Sequence, residues 1–232
     1  MSTSDLAALL DQAKAILLDF DGPVCNIFAG HPAPLVADQL RQVLTNAGVD
    51  LPTSVAAETD PLEVLRWTAT LDRDQLTRVI EDSLRADELT AAETAVPTPY
   101  AREVIVAATQ EGRKVSIASN NSEPAIAAYL TNHRLNRHIT RITGRTPYQP
   151  DQMKPNPASV RTAVEALSVA PHSCLLIGDS PTDITAGHAL GMPVIGYANK
   201  PSKTQRLQQA GADAIATSMS DIALALIGVA PS

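Results

Sequence analysis

The feature that most constrains this chain is a set of three apolar runs that end alike. Ala15, Ile16, Leu17 and Leu18 lead into Asp19; residues 115–118 lead into Ser119 and Asn120; residues 175–177 lead into Gly178 and Asp179. Short apolar runs bounded by turn residues read as strands buried on both faces. Helical periodicity fills the stretches between them, and strand, helix and strand in repetition make a parallel sheet covered by helices on both sides. Parallel strands present their carboxyl ends on one edge, so the polar groups after the three runs converge there whatever the strand order.

The first run carries two acids. Side chains two apart on an extended backbone point the same way, so Asp19 and Asp21 share a small volume at that edge. Two anions placed together need a cation. Carboxylates combined with phosphate oxygens suit a hard ion that keeps several of its waters, which favours Mg2+. Taken alone, Asp21-Gly22 is equally a plain turn, and Ser119, Lys154 and Asp183 each have an ordinary reading as helix cap or surface lysine. Convergence of the strand ends is what sets those readings aside.

Taken in order, residues 4–12 read as a short amphipathic helix before the first strand, and residues 23–34, rich in Pro and Gly, as irregular chain. Helical periodicity then holds over 35–47, stopped by Gly48, over 61–70 and over 72–89, with Asp60 and Asp72 as N-caps and Pro61 at a first helical position. No convincing strand lies between Phe28 and Val96. A helical insert of that length exceeds an ordinary crossover and reads as a separate cap. Pro97, Thr98 and Pro99 form a stiff return linker. Beyond it, helices are expected over 100–111, 123–133, 157–167, 183–190 and 221–227, and strands over 114–118, 138–143, 174–177, 193–197 and 212–216. The expected fold is α/β: a Rossmann-like three-layer sandwich with a parallel sheet, formed by residues 1–27 and 97–232, plus a small all-helical cap domain formed by 28–96.

At 232 residues the chain can bury a full core and still carry such an insert. A formal net charge of −7 gives no long-range attraction to nucleic acid or to an anionic membrane, so neither is an expected partner, and an anionic substrate needs a local positive site. Aromatic residues amount to 3%, too few for base-stacking platforms. Asp5, Asp11 and Lys14 stand where a signal peptide or membrane span would be apolar, so a cytoplasmic location is expected. Cys25 and Cys174 belong to no CxxC or Cys/His cluster and are expected to be reduced.

The polar segments together resemble the four motifs of the haloacid dehalogenase superfamily, in its phosphatase branch with a helical cap inserted after the first strand, as in phosphoglycolate phosphatase-like members. Its Asp-x-Asp-Gly stands here as Asp19-Phe20-Asp21-Gly22, its Ser/Thr at a strand end as Ser119-Asn120, its lysine before proline as Lys154-Pro155, and its Gly-Asp-x-x-x-Asp as residues 178–183. The resemblance, which covers roughly residues 14–225, implies that Asp19 is the nucleophile, passing through an aspartyl-phosphate, and that Asp21 is the acid and then the base. It implies that Ser119 and amides near Phe20, Asp21 and Asn120 hold the transferring oxygens, with Lys154 adding fixed positive charge. Asp19, Asp179, Asp183 and the carbonyl of Asp21 would hold Mg2+. The implied partner is a small phosphorylated metabolite, bound by a monomer or weak homodimer.

Two departures stand in the first motif. Pro23 occupies a place where the family usually has Thr, and Asn26 one where Asp is frequent. Asp21 argues against dehalogenase chemistry, which does not use a second aspartate there. A phosphomutase and a catalytically weak regulatory or partner-binding member share the motifs and stay open as alternatives. Within the insert, Arg66 and Trp67 are ambiguous between leaving-group contact and ordinary surface or core positions, as are Lys200 and Lys203 beyond the strand at 193–197.

Overall fold

The computed structural model describes residues 3–228 and realises the alternation read from the sequence. Helix α1 (Thr3–Gln12) leads to strand β1 (Ala15–Leu18) and a two-residue strand β2 (Cys25–Asn26). The insert follows as α2 (Ala33–Asn46), α3 (Thr53–Ala56), α4 (Pro61–Ala69) and α5 (Asp74–Thr94), after which β3 (Val96–Pro97) returns the chain. The remainder runs α6 (Ala101–Gln110), β4 (Lys114–Ala118), α7 (Glu123–Asn132), β5 (Arg141–Thr143), α8 (Ala158–Leu167), β6 (Cys174–Gly178), α9 (Pro181–His188), β7 (Val194–Tyr197), α10 (Pro201–Gln209), β8 (Ala214–Ala216) and α11 (Met219–Leu226).

Six strands form one sheet in the order β5-β4-β1-β6-β7-β8, every neighbouring pair parallel. Leu18 of β1 stands opposite Ile117 on one side and Ile177 on the other. That register brings Asp19, Ser119 and Asp179 off the same edge. Successive strand residues serve opposite faces, as the pleat requires. Ile16, Leu18, Ile117, Leu175 and Ile177 pack with α1, α6, α7 and α11, whereas Ala15, Leu17, Leu176 and Val194 pack with α8, α9 and Leu207 of α10. Both faces are thereby covered, which is why β1 and β6 read as unbroken apolar runs.

The insert has an apolar cluster of its own, built from Val36, Leu40 and Leu44 of α2, Val64 and Leu65 of α4, and Leu76, Ile80 and Leu84 of α5. Trp67, the single tryptophan of the chain, packs against it. Helix α5 serves two cores, since its Ala91 and Ala92 belong to the cluster beside the sheet.

Several expectations need correction. The crossings between sheet and insert, expected as irregular chain and a stiff linker, contain a short ribbon: β2 and β3 pair antiparallel, Cys25 opposite Pro97 and Asn26 opposite Val96. Strands of two residues carry no periodicity that a sequence could show. Asp60 caps α4 as expected, accepting the Leu62 N–H at 2.9 Å. Asp72 does not cap α5; it turns at φ 52°, and the helix begins at Asp74 without a side-chain cap and runs on to Thr94. The strand expected over 138–143 is shortened to β5 by a 3-10 turn at Asn136–His138. Helix α10 has a single buried residue, Leu207, and so offered no apolar stripe to read. The ends of the expected core unit, residues 1–2 and 229–232, lie outside the described residues. Among the described residues, no helix is long and apolar enough to cross a membrane.

Leu40 lies fully buried in the insert's cluster. Leu40→Ala is expected to cost about 2–5 kcal/mol through lost transfer energy and an unfilled cavity. A lowered urea midpoint, followed by Trp67 fluorescence, is the measurement that checks it.

Candidate active site

Asp19 is the first residue beyond β1. Its N–H still donates to the Ile177 carbonyl at 2.9 Å, so the sheet fixes its backbone, while its Oδ1 accepts the Phe20 N–H at 2.7 Å. The Lys154 ammonium lies 2.9 Å from that same oxygen, 2.5 Å from Oδ1 of Asp183 and 3.0 Å from the Ala118 carbonyl. Lys154 is only 1% exposed. Burial pulls its pKa down, but the carboxylates of Asp183 and Asp19 outweigh burial and hold it above the ordinary lysine value.

Asp183 sits in the first turn of α9. Its Oδ2 accepts the Ser180 N–H at 3.0 Å, and Ser180 Oγ accepts the Thr182 N–H at 3.3 Å, which completes a capping box. One carboxyl group therefore caps the start of the helix and faces the lysine. Burial pushes this carboxyl up, with Lys154 working against it. Asp179, at the end of β6, accepts the Lys203 ammonium from α10. Burial raises its pKa as well, and Lys203 opposes the rise.

One carboxylate oxygen each from Asp19, Asp179 and Asp183 lie within 4.8 Å of one another. An all-oxygen anionic set this compact fits Mg2+ by donor type and by charge. The Asp21 carboxylate stands outside that set. Its Oδ1 accepts the Ile27 N–H at 3.0 Å, and burial raises its pKa to about 7, with that hydrogen bond acting against the shift and Asp179 and Asp19 adding to it. A carboxyl group poised near neutrality can give a proton and take one back.

Gly22, close against Asp179, makes the turn after Asp21 possible. Its φ is +105°, and a Cβ there would lie 2.3 Å from Oδ2 of Asp179. After β4, the Ser119 hydroxyl exchanges hydrogen bonds of 3.2 Å with Asn121 Oδ1 and N–H. Asn120 holds the Lys154 backbone from both sides, its Oδ1 accepting the N–H at 2.8 Å and its Nδ2 donating to the carbonyl at 3.3 Å. Phe20 has a fully buried side chain, edge-on to Tyr129 at 5.2 Å between centroids, so its backbone alone is available to a ligand.

All the polar residues singled out in the four motifs line or adjoin one cleft of about 540 Å³, whose opposite wall is the insert, through Phe28, Asp60, Glu63 and Arg66. Arg66 lines the cleft, and its Nη2 donates to the Lys154 carbonyl at 3.0 Å, whereas Trp67 packs against the insert's own cluster. Lys203 holds Asp179, and Lys200 is exposed at the start of α10. Sequence reasoning missed Arg206, which lines the cleft from α10, a helix without a legible apolar face.

Residues 13–191 match the model of the haloacid dehalogenase-like hydrolase family. The chain belongs to that family. The curated relatives that it resembles are named as phosphoglycolate phosphatases, and the chain spans about half the length of most of them. It is 31% identical over 107 residues to the phosphoglycolate phosphatase of Rhodospirillum rubrum, an alignment covering 44% of each chain. It is 24% identical over 226 residues to the phosphoglycolate phosphatase of Photorhabdus laumondii, covering 95% of each. A structure described as a predicted phosphatase from Clostridium acetobutylicum shares the fold with a TM-score of 0.71 at 16% identity, over 93% of this chain and 98% of that one.

Gly22→Ala forces a side chain into the Asp179 carboxylate at a backbone angle that disfavours one. The variant is expected to lose roughly 1–3 kcal/mol of stability and, where folded, to bind Mg2+ more weakly in a calorimetric titration.

Proposed function

We propose that this protein is a Mg2+-dependent phosphatase that hydrolyses a small phosphorylated metabolite through an aspartyl-phosphate on Asp19. The observation that carries the reading is the buried Lys154 ammonium, 2.9 Å from Asp19 Oδ1, beside a set of three carboxylates with oxygens within 4.8 Å. A carboxylate held against a fixed cation at the floor of a cleft suits attack on phosphorus.

In the first step the Asp19 carboxylate attacks phosphorus, the bond to the leaving oxygen breaks, and Asp21 gives that oxygen its proton. In the second, the Asp21 carboxylate takes a proton from water, the water oxygen attacks phosphorus, and phosphate leaves with Asp19 regenerated. A carboxyl pKa near 7 matches both halves of this cycle. Ser119 and the amides of Phe20, Asp21 and Asn120 hold the transferring oxygens, and Lys154 stabilises the charge on them. Asp19, Asp179, Asp183 and the Asp21 carbonyl would hold Mg2+, which supplies positive charge to the phosphoryl oxygens when bound.

Residues 28–96 act in this reading as a separate cap over the leaving group. A cleft of about 540 Å³ suits a small metabolite. The names of the relatives make phosphoglycolate the first substrate to test. A regulatory, non-catalytic role fits poorly with so many buried ionised groups, which are costly to keep without a ligand.

Asp19→Asn is expected to abolish phosphate release while leaving the melting temperature close to that of the parent; near-parental turnover would exclude the covalent route. Asp21→Asn, given p-nitrophenyl phosphate, is expected to release about one equivalent of nitrophenol and then stall, because an activated leaving group needs no proton whereas the second step still needs a base. Steady turnover without a burst would remove that role. Chelation by EDTA is expected to stop the reaction and added Mg2+ to restore it, and full activity of metal-stripped protein would count against the metal assignment.

A further inference from the structure

Helix α5 is tied to the loop that carries Lys154 by contacts that no sequence pattern announces. Arg145, two residues beyond β5, has its whole side chain buried. Its Nε donates to both oxygens of Glu81 at 2.9 and 3.0 Å, and its Nη1 to both oxygens of Glu88 at 2.7 and 2.9 Å. Both glutamates are buried on α5, two turns apart and so on one face. Nη1 also donates to the Asn120 carbonyl at 3.1 Å, and Glu88 accepts the Asn121 Nδ2 at 3.1 Å and the Ser122 N–H at 3.0 Å. Gly144 permits the close approach, since a Cβ there would lie 2.4 Å from the Glu123 nitrogen and 2.6 Å from the Asn121 carbonyl oxygen. The turn from Asn120 to Ser122 is thus held by Arg145 and Glu88, with Glu81 fixing the arginine.

We infer that Arg145, with Glu81 and Glu88, is a positioning device for the active site: it fixes the Asn120 turn, and through the two Asn120 contacts with the Lys154 backbone it sets where that ammonium meets Asp19. The inference rests on the proposed reading of Asp19, Ser119 and Lys154 as the phosphoryl-transfer site. Stability accounts poorly for the network. Two carboxylates share one guanidinium, Arg145 Nη2 has no hydrogen-bond partner among the described residues, and buried ion clusters are often no more stabilising than apolar packing. What the network supplies that apolar packing does not is direction, because Arg145 and Glu88 meet the Asn120 carbonyl, the Asn121 amide and the Ser122 N–H of the turn that holds Lys154.

The test is the variant Arg145→Met/Glu81→Leu/Glu88→Leu, since replacing a whole buried ion network by apolar residues of similar volume tends to preserve folding. With Mg2+ present and p-nitrophenyl phosphate as substrate, its melting temperature is expected to stay near the parent's while kcat falls about a hundredfold, the order expected when a catalytic group shifts by about an ångström. Inhibition by orthovanadate, which resembles the transferring group, should weaken by a similar factor and inhibition by inorganic phosphate by much less, because alignment matters most in the transition state. A merely structural role leaves that ratio unchanged. Should the triple variant not fold, Glu88→Gln, nearly isosteric, decides in its place, with the same direction of change expected in kcat and in the vanadate-to-phosphate ratio. A folded variant of either kind with parental kcat and parental ratio overturns the inference. Lys154→Met separates the two readings. If it keeps parental kcat, the assignment of the site fails and this inference falls with it; if it is inactive beside a fully active triple variant, the site stands and the role of Arg145 alone is lost.

Discussion

The contact on which the rest of the site depends is that of the Lys154 ammonium with Asp19 and Asp183, at 2.9 and 2.5 Å. A charge removed from water is costly unless it is paired and hydrogen-bonded. Lys154 meets that condition with two carboxylates and the Ala118 carbonyl, and each partner arrives on a different element: β1, β4 and α9. Bringing them together requires the parallel register in which Leu18 stands level with Ile117 and Ile177. The lysine is therefore as much a constraint on the fold as a member of the site, and the acids around it in turn keep it protonated.

Legibility in the sequence followed the range of each interaction. Strands β1 and β6 were readable because burial on both faces leaves an unbroken apolar run, β4 because a single serine interrupts its run, and their polar ends because chemistry at a sheet edge uses few residue types. Asp60 was readable as a cap because the N–H it accepts lies two residues on. Asp72 satisfied the same local rule and failed, since the chain turns there at φ 52° and α5 begins without a side-chain cap. The β2–β3 ribbon joins residues far apart in the chain through two pairs, too few to show alternation. Arg145, Glu81 and Glu88 were invisible for a related reason: each is an ordinary charged residue locally, and its meaning lies in partners on another element.

Helix α5 shows how one element can satisfy two units at once. Ile80 and Leu84 pack into the insert's cluster, Ala91 and Ala92 into the cluster beside the sheet, and Glu81 and Glu88 point to Arg145. Small alanines permit close approach to the sheet side, while large aliphatics fill the space among three insert helices. The same loop is tied to the helix again at Tyr148, which donates to Asp82 at 3.0 Å and has Arg78 4.6 Å from its ring. The loop bearing Lys154 is consequently held between α5 on one side and Asn120 on the other.

The departure at Pro23 is best understood through the hydrogen bonds of its own turn. Proline has no N–H, so the substitution matters only if the turn needs one at that position. It does not: Gly22 donates to the Cys25 carbonyl at 2.7 Å, and Val24 and Cys25 donate to the Phe20 carbonyl at 3.2 and 3.1 Å, closing the turn around the proline. The next link is Thr98, whose hydroxyl donates to the Gly22 carbonyl at 2.6 Å and whose N–H donates to Val24 at 3.1 Å. The return crossing from the insert is thus fastened to the turn that holds Asp21. A fixed φ at Pro23 stiffens that turn where the insert joins it. Displacement of the insert would then reach Asp21, the proposed acid–base residue, through two hydrogen bonds and a rigid turn.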